Sequence, residues 1–499
     1  MRNSTPFFAA FGPLLFGRAP RCRLQDLLGQ WPQMPSINQY MEAFGELIPQ
    51  TLLARSRGGV NSRQRIFSPL VTFWAFLAQV LERGSSCRDA LQRISAWWQV
   101  HFPGQGSPSA DTSAYCQARA RLDETVLQQI GSDLAEQLQR KVTNPQLWLG
   151  RRVKIVDGTG LSMPDTAANQ RQWPQSSGQR PGCGFPLLKV VGLFCLHSGA
   201  LLQVVHDDLH HHELALARRL WQWLQPGEIL LADRGFCSFL DIAQLLGRGV
   251  DCLMRLHQGR GKPDFRRGRR LGNRDRLVVW RKPPQRLPHW SKQDYDQLPA
   301  TLTLRLVRFE ITVPGFRSQQ IVLTTTLLDP KLYPAHELEK LYFRRWNVEL
   351  HFRQIKTLLG MDVLRCLTPN MVLKELAMHR IAYNLIRSLM QRAALTYDVD
   401  LERLSFKGSL DCLHHFADAI YATHRKPRKQ ALLFDALLRT IASDLVPLRP
   451  NRCEPRARKR RPKKLSIPYQ TSPSNAHRTT PKPSEESLLN VPYLSAIHY

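Results

Sequence analysis

Tyr342, Arg345, Glu349 and Lys356 recur at spacings of 3, 4 and 7 within the segment YFRRWNVELHFRQIKTLLG. The same segment, with Leu341 before it, carries an apolar stripe of Val348, Phe352, Ile355 and Leu359, so it reads as a helix with one buried face. At roughly 100° per residue, the four polar residues would share about 60° of arc on the border of that stripe. Two accounts compete. In the plainer one, Arg345 and Glu349 form an i,i+4 ion pair worth only ~0.3–0.5 kcal/mol, which leaves Tyr342 and Lys356 unexplained. In the other, Glu349 ligates a divalent cation, while Tyr342, Arg345 and Lys356 hold the phosphates of a bound strand beside it. Helix geometry alone leaves the two level.

Two aspartates tilt the choice toward the second. Asp157 closes the strand-like run VKIVDGTG, and Asp233 closes the run EILLADRGF. Ligands of open α/β sheets gather at strand ends. A carboxylate there is costly unless it is solvated, paired or bound to a cation. The glycines that follow each aspartate let the backbone leave the sheet sharply. Singly, each aspartate reads as a turn residue or helix cap. With Glu349 they become three carboxylates on three elements of one core. Such hard oxygen ligands suit Mg²⁺, which accepts substrate phosphate oxygens. Two such ions ~3.5–4 Å apart can activate a water or a 3′-hydroxyl and stabilise the leaving oxygen of an in-line displacement. The chain contains no P-loop, G-x-S-x-G or H-E-x-x-H motif, the usual marks of competing chemistries.

The elements that must position these residues follow from periodicity. Residues 35–140 read as helical, through FWAFLAQVLERG, CRDALQRISAWWQVHF and DTSAYCQARARLDETVLQQI. The last places Arg119 and Arg121 on a helix that could dock on DNA, against the alternative of a bundle with a solvated basic face. From about 148 the pattern becomes β-like: three strands, helix, strand, helix, strand, a mixed α/β order. LLKVVGLFCL and ALLQVVHDD join around HSG as a hairpin. Residues 255–288 then hold twelve Lys/Arg against two acids, followed by TLTLRLVRFEITV and QQIVLTTTLL as long strands. Residues 256–325 therefore read as a β-rich basic insertion, or alternatively as a solvated basic loop region. The cluster HDDLHHHELA, with His206, Asp207, Asp208, His210, His211, His212 and Glu213, reads as a polar loop entering a helix, with Glu213 near the helix start; a zinc site is the competing reading.

Charge and cysteines narrow the class. The net charge is +30, from 70 Lys+Arg against 40 Asp+Glu, which implies a polyanionic partner, most simply nucleic acid. No apolar run approaches the ~20 residues of a spanning helix, so no membrane is expected. The N-terminal PFFAAFGPLLFG is a weak signal-peptide candidate broken by Pro13. The ten cysteines form no CxxC pair, which fits reduced thiols in a cytosol. At roughly 150 residues per domain, 499 residues suggest two to four domains.

With these residues in place, the sequence resembles the DDE transposases of the insertion sequence 4 family. Tyr342, Arg345, Glu349 and Lys356 match the signature Y-x2-R-x3-E-x6-K at every spacing. Asp157 stands in D-G-T and Asp233 in D-R-G-F, as the family's two aspartates do, and SSCRDAL and SAYCQARARL resemble the N-terminal part of many members. The resemblance covers about residues 40–400. It implies a ribonuclease-H-like mixed α/β sheet flanked by helices, with a β-rich insertion and an N-terminal helical domain. The implied layout is a helical DNA-binding region over 1–145, the first part of the catalytic core over 146–255, the insertion over 256–325, the second part of the core over 326–400, a helical region over 401–445, and a basic, disordered tail over 446–499. It implies Asp157, Asp233 and Glu349 as the metal-binding triad, and Tyr342, Arg345 and Lys356 as DNA contacts. Trp280 and Trp290 are candidates for stacking on a base flipped during hairpin formation, with core packing as the alternative. The implied function is cutting and joining of DNA at terminal inverted repeats with Mg²⁺, two ions, Mn²⁺ able to substitute. A dimer in the DNA complex and a cytoplasmic, nucleoid-associated location in a bacterium are expected. A nuclease without strand transfer and a non-catalytic DNA-binding descendant are the alternatives.

Overall fold

A computed structural model describes residues 44–53, 66–101 and 108–447, apart from 181, 262, 287–289, 311–319 and 424–425. The N-terminal apolar stretch and the basic tail beyond 447 lie outside the described residues. Ser68 caps the first long helix, its Oγ accepting from the Val71 amide at 3.3 Å, with Pro69 at the first helical position. Helices α1 (Pro69–Leu81), α2 (Cys87–His101), α3 (Ser113–Arg121) and α4 (Glu124–Arg140) follow, so the helical periodicity before 140 is expressed as helix from 69 onward.

Arg119 corrects an expectation. It does not face a ligand: it is 6 % exposed, and its guanidinium lies 4.1 Å from the centroid of the Phe76 ring. Its Nη1 donates to Cys87 Sγ at 3.1 Å and its Nη2 to Cys366 Sγ at 3.0 Å. A planar guanidinium on a long apolar stem can serve as core packing, which total charge cannot reveal. Arg121, at the end of α3, is half-buried. Arg119→Met is therefore expected to lower stability by about 2 kcal/mol while leaving DNA affinity unchanged. Denaturant unfolding beside a gel-shift titration checks this, and a weakened complex at unchanged stability would restore the DNA-contact role.

The mixed sheet follows. It is built from β1 (Val153–Ser162), then, after the short α5 (Ala167–Gln172), β2 (Leu187–Cys195) and β3 (Leu201–Asp207); then α6 (Glu213–Arg218), β4 (Ile229–Ala232), α7 (Phe239–Gly247) and β5 (Asp251–Arg255). β1, β2 and β3 are antiparallel neighbours, whereas β4 runs parallel to β1 and β5 parallel to β4. The basic segment supplies β6 (Arg269–Gly272), β7 (Asp275–Arg281), α8 (Lys292–Gln297), β8 (Thr301–Glu310) and β9 (Gln320–Thr325). These strands continue the first sheet, because β9 pairs with β5 from Leu253↔Thr325 to Arg255↔Leu323. The result is one nine-stranded sheet in the order β3-β2-β1-β4-β5-β9-β8-β7-β6. The mixed α/β sheet flanked by helices that was expected is observed.

The remaining helices are α9 (Ala335–Phe343), α10 (Asn347–Arg353), α11 (Pro369–Tyr397), α12 (Phe406–Ala422) and α13 (Pro427–Ser443). The long α11 is buried through most of its length. Its polar residues Arg380, Tyr383, Asn384 and Arg387 lie at i, i+3, i+4 and i+7, hence on one face. They satisfy the β2–β3 turn: Tyr383 donates to Gly199 O at 2.8 Å, Asn384 Nδ2 to Leu201 O at 3.0 Å, and Arg387 Nη2 to Ser198 O at 2.6 Å. This stripe holds the hairpin next to β1 against the helical layer. No helix among the described residues is long and apolar enough to cross a membrane.

Candidate active site

β1 pairs with β4 in parallel from Val153↔Ile229 to Ile155↔Leu231, after which β4 ends at Ala232 while β1 continues alongside β2 to Ser162. Asp157 is thus in mid-strand and not at a strand end as the sequence suggested. It sits just beyond the reach of β4, on the side where that neighbour stops. Asp233 follows Ala232 directly and caps a 3₁₀ turn over Arg234–Phe236, accepting from the Gly235 amide at 2.7 Å. By this register Asp157 lies level with Asp233, just past the point where the pairing of β1 with β4 ends. Burial pushes the Asp157 carboxyl up to about 7, and the charges of Glu213 and Asp233 add to that; the Gly158 amide, 2.9 Å from Oδ1, and the Arg345 guanidinium oppose it.

The segment that opened the sequence reading is continuous but not a regular α-helix. A 3₁₀ turn over Arg344–Trp346 separates α9 from α10, and a π turn over Gln354–Leu358 follows α10. The tightening and the widening each depart from the 100° wheel, and the four signature residues differ in exposure. Tyr342 is 2 % exposed and lies in the core; Arg345 is buried too. Neither presents the strand-contacting face expected of it. The side chain of Glu349, in contrast, is 51 % exposed. Arg345 Nη2 approaches Glu349 Oε1 at 3.4 Å and its guanidinium lies over the Trp346 ring at 5.0 Å, while the same group acts on Asp157. Lys356, half-buried, donates from Nζ to Thr159 Oγ1 and to Gly160 O, both at 3.0 Å. It thereby fastens the π turn to β1 just past Asp157. Burial, above all, raises the Tyr342 hydroxyl; Arg345 and Arg255 lower it and Asp233 raises it further. Of Tyr342, Arg345 and Lys356, Arg345 is the one that pairs with a carboxylate, that of Glu349.

The three expected ligands do not close into one compact cluster. Among the described residues, the group of three such ligand atoms within 4.8 Å of one another is Asp207, Asp208 and His211, in the polar loop. That loop otherwise behaves as its sequence suggested. His212 caps α6, Nδ1 accepting from the Leu214 amide at 3.2 Å, and Arg219 pairs with Asp207 at 3.2 Å. Glu349 is instead paired with Arg345.

Sequence reasoning passed over the placement of Glu213. Its carboxylate packs against Gly158, so near that a Cβ added to that glycine would stand 1.8 Å from Glu213 Oε1. Burial and the Asp233 charge raise this carboxyl, and Lys189 and the Gly158 amide oppose them. The only signal in the sequence was the pairing of an acid at a helix start with a glycine after a strand aspartate, which needs the fold to be read. Trp280 and Trp290 are both buried in the second core layer, with Arg260 lying 3.4 Å over the Trp280 ring and Arg218 5.4 Å over the Trp290 ring. The packing alternative describes them; base stacking would need an open face.

Among the described residues Asp157, Asp233 and Glu213 form no ion pair, although their charges act on one another. Uncompensated hard oxygen donors of this kind fit a divalent cation. Residues 148–385 match the family model described as "Transposase DDE domain". The chain is 26% identical over 366 residues to the transposase InsG for insertion sequence element IS4 of Escherichia coli (strain K12), covering 72% of this chain and 78% of that protein. It is 24% identical over 370 residues to the transposase for insertion sequence element IS421 of Escherichia coli, covering 68% of this chain and 89% of that protein. A solved piggyBac transposase synaptic complex with hairpin DNA aligns over 81% of this chain and 82% of its own, at 12% identity and a TM-score of 0.42. Sheet order, paired aspartates and sequence relatives agree: residues 148–385 match the DDE domain of transposases, and the chain is similar to the transposases of insertion sequence elements IS4 and IS421.

Proposed function

We propose that this transposase cuts DNA at the terminal inverted repeats of its own element and joins the freed 3′-hydroxyl to target DNA, using Mg²⁺, two ions, held by Asp157, Asp233 and Glu349. Mn²⁺ substitutes. The observation that carries this reading is that Asp157, in mid-strand on β1, lies level with Asp233, which directly follows the end of its parallel neighbour β4, close enough for the charge of one to raise the other. Bound there, the cations supply Lewis-acid stabilisation of phosphate oxygens and activation of the attacking hydroxyl. The protein's own part is positioning. Gly158 N–H orients Asp157, Gly235 N–H orients Asp233, and Lys356 locks the helix that carries Glu349 to β1. Arg345 holds Glu349 by an ion pair at 3.4 Å and acts on Asp157 as well. The +30 charge favours DNA through counterion release. Two ends must be paired for joining, so the protein acts on DNA as a dimer, at the nucleoid of a bacterial cytoplasm.

The test supplies a precut element end with a free 3′-hydroxyl, target DNA and Mg²⁺. Joined product is expected from the wild-type chain and none from Glu349→Ala, which should still shift the end DNA on a gel. Cleavage of an uncut end without any joined product would point to a nuclease. Binding without either reaction would point to a non-catalytic descendant.

A further inference from the structure

We infer that Glu213 is a fourth carboxylate of the cation site, reaching it from α6 through the gap left by Gly158. The inference rests on the reading that Asp157 and Asp233 hold the cations. Gly158 directly follows Asp157 in β1 and faces Val191 of β2. Its φ is not in the left-handed region, so backbone conformation does not demand glycine there. Space does. A Cβ on residue 158 would lie 1.8 Å from Glu213 Oε1, 2.6 Å from Cδ and 3.0 Å from Cγ. Glycine at this position thus admits the glutamate, while its amide holds Asp157 Oδ1 at 2.9 Å. One residue serves both carboxylates.

The approach of Glu213 is built and not incidental. Lys189 of β2 donates from Nζ to Leu209 O at 2.9 Å and to His211 O, which pins the loop that delivers α6. The cap from His212 then fixes where the helix begins. Lys189 also provides an opposing charge for Glu213, and the Gly158 amide that faces Asp157 acts on this carboxylate too, while among the described residues Glu213 makes no ion pair. A half-buried anion beside two others without a paired cation is unfavourable in the free protein. A divalent ion removes that cost, and a fourth oxygen donor from a second helix raises the affinity with which it is held. Glu349 approaches from α10, so the cations would be gripped by elements on both sides of β1.

The probe is Mn²⁺ alone, titrated into the full-length protein and followed by electron paramagnetic resonance of the free ion. Glu213→Gln keeps size and removes charge. It is expected to weaken Mn²⁺ binding on the order of 10–100-fold, and to shift the Mn²⁺ concentration for half-maximal cleavage by the same factor, with activity recovering at high Mn²⁺. Gly158→Ala, whose methyl occupies the place of the Glu213 carboxylate, should weaken Mn²⁺ binding in the same direction, and circular dichroism checks that both variants are folded. Folded Glu213→Gln with wild-type Mn²⁺ affinity overturns the inference. Asp157→Asn run in parallel separates the two readings. If it loses Mn²⁺ while Glu213→Gln does not, only the fourth carboxylate falls. If Asp157→Asn itself binds Mn²⁺ as wild type does, the site assignment falls and this inference with it.

Discussion

Asp157→Asn is expected to reduce strand cleavage on the order of 10³-fold or more, since a misplaced cation forfeits several kcal/mol of charge stabilisation in the transition state, at ~1.4 kcal/mol per factor of ten. DNA binding should persist, because it rests on the basic surface. The same substitution has a second consequence in cation-free protein. The Asp157 carboxyl is raised from 3.8 to about 7, chiefly by burial. Between those values the native state keeps a proton that the unfolded chain has lost. Stability therefore falls as pH rises through roughly 4 to 7, and the cost is complete above that window, where it amounts to a few kcal/mol. Asn carries no charge to bury, so the variant should be the more stable of the two at pH 8 and nearly equal at pH 4. Adding divalent cation should close the gap at pH 8 by stabilising only the wild type. Thermal unfolding at both pH values, with chelator and with Mg²⁺, measures this. A wild-type chain whose cation-free stability rises from pH 4 to pH 7 relative to Asp157→Asn would contradict the account.

Asp275→Ala is expected to destabilise the fold by about 3–5 kcal/mol, the usual result of stripping one partner from a buried ion pair. Arg305 is completely buried on β8, and its Nε and Nη2 donate to Asp275 of β7 at 2.9 and 2.6 Å. Its remaining nitrogen donates to Tyr333 O at 2.7 Å, in the segment that leads into α9. The pair thus ties the added strands to the chain that carries the signature helix. Removing the carboxylate leaves a desolvated guanidinium with nothing to balance it. Replacing both partners by apolar side chains, Asp275→Leu with Arg305→Met, should recover most of the loss in stability, because the desolvation cost disappears with the charges. Activity need not return, since the contact to Tyr333 O is also gone. Urea midpoints of the three variants decide it, and equal stability of Asp275→Ala and wild type would show that water reaches Arg305.

Much of the site was legible in the chain. Asp233 follows a strand and Glu349 stands on a helix, as strand-to-turn pattern and helical periodicity suggest, because a side-chain type at a fixed offset from a glycine or a stripe reports local geometry. The order of strands and helices was legible for the same reason: periods of 2 and 3.6 are local properties. Several features were not. Asp157 lies in mid-strand because β1 stays paired with β2 as far as Ser162, and how far a neighbour pairs is not written near residue 157. Arg119, Tyr342 and Arg345 went inside although charge and rim position suggested otherwise. Burial depends on which surfaces meet across α3, α9 and the sheet. The 3₁₀ and π turns interrupt the signature helix, and such departures from regular helix arise from packing at both ends of a segment. Glu213 came to Gly158 only through the β2–β3 hairpin and the crossover that returns to β4. Local spacing settles what each residue is and which element carries it; which carboxylates end up neighbours is a matter of long-range packing, because contacts between distant segments depend on every element that lies between them.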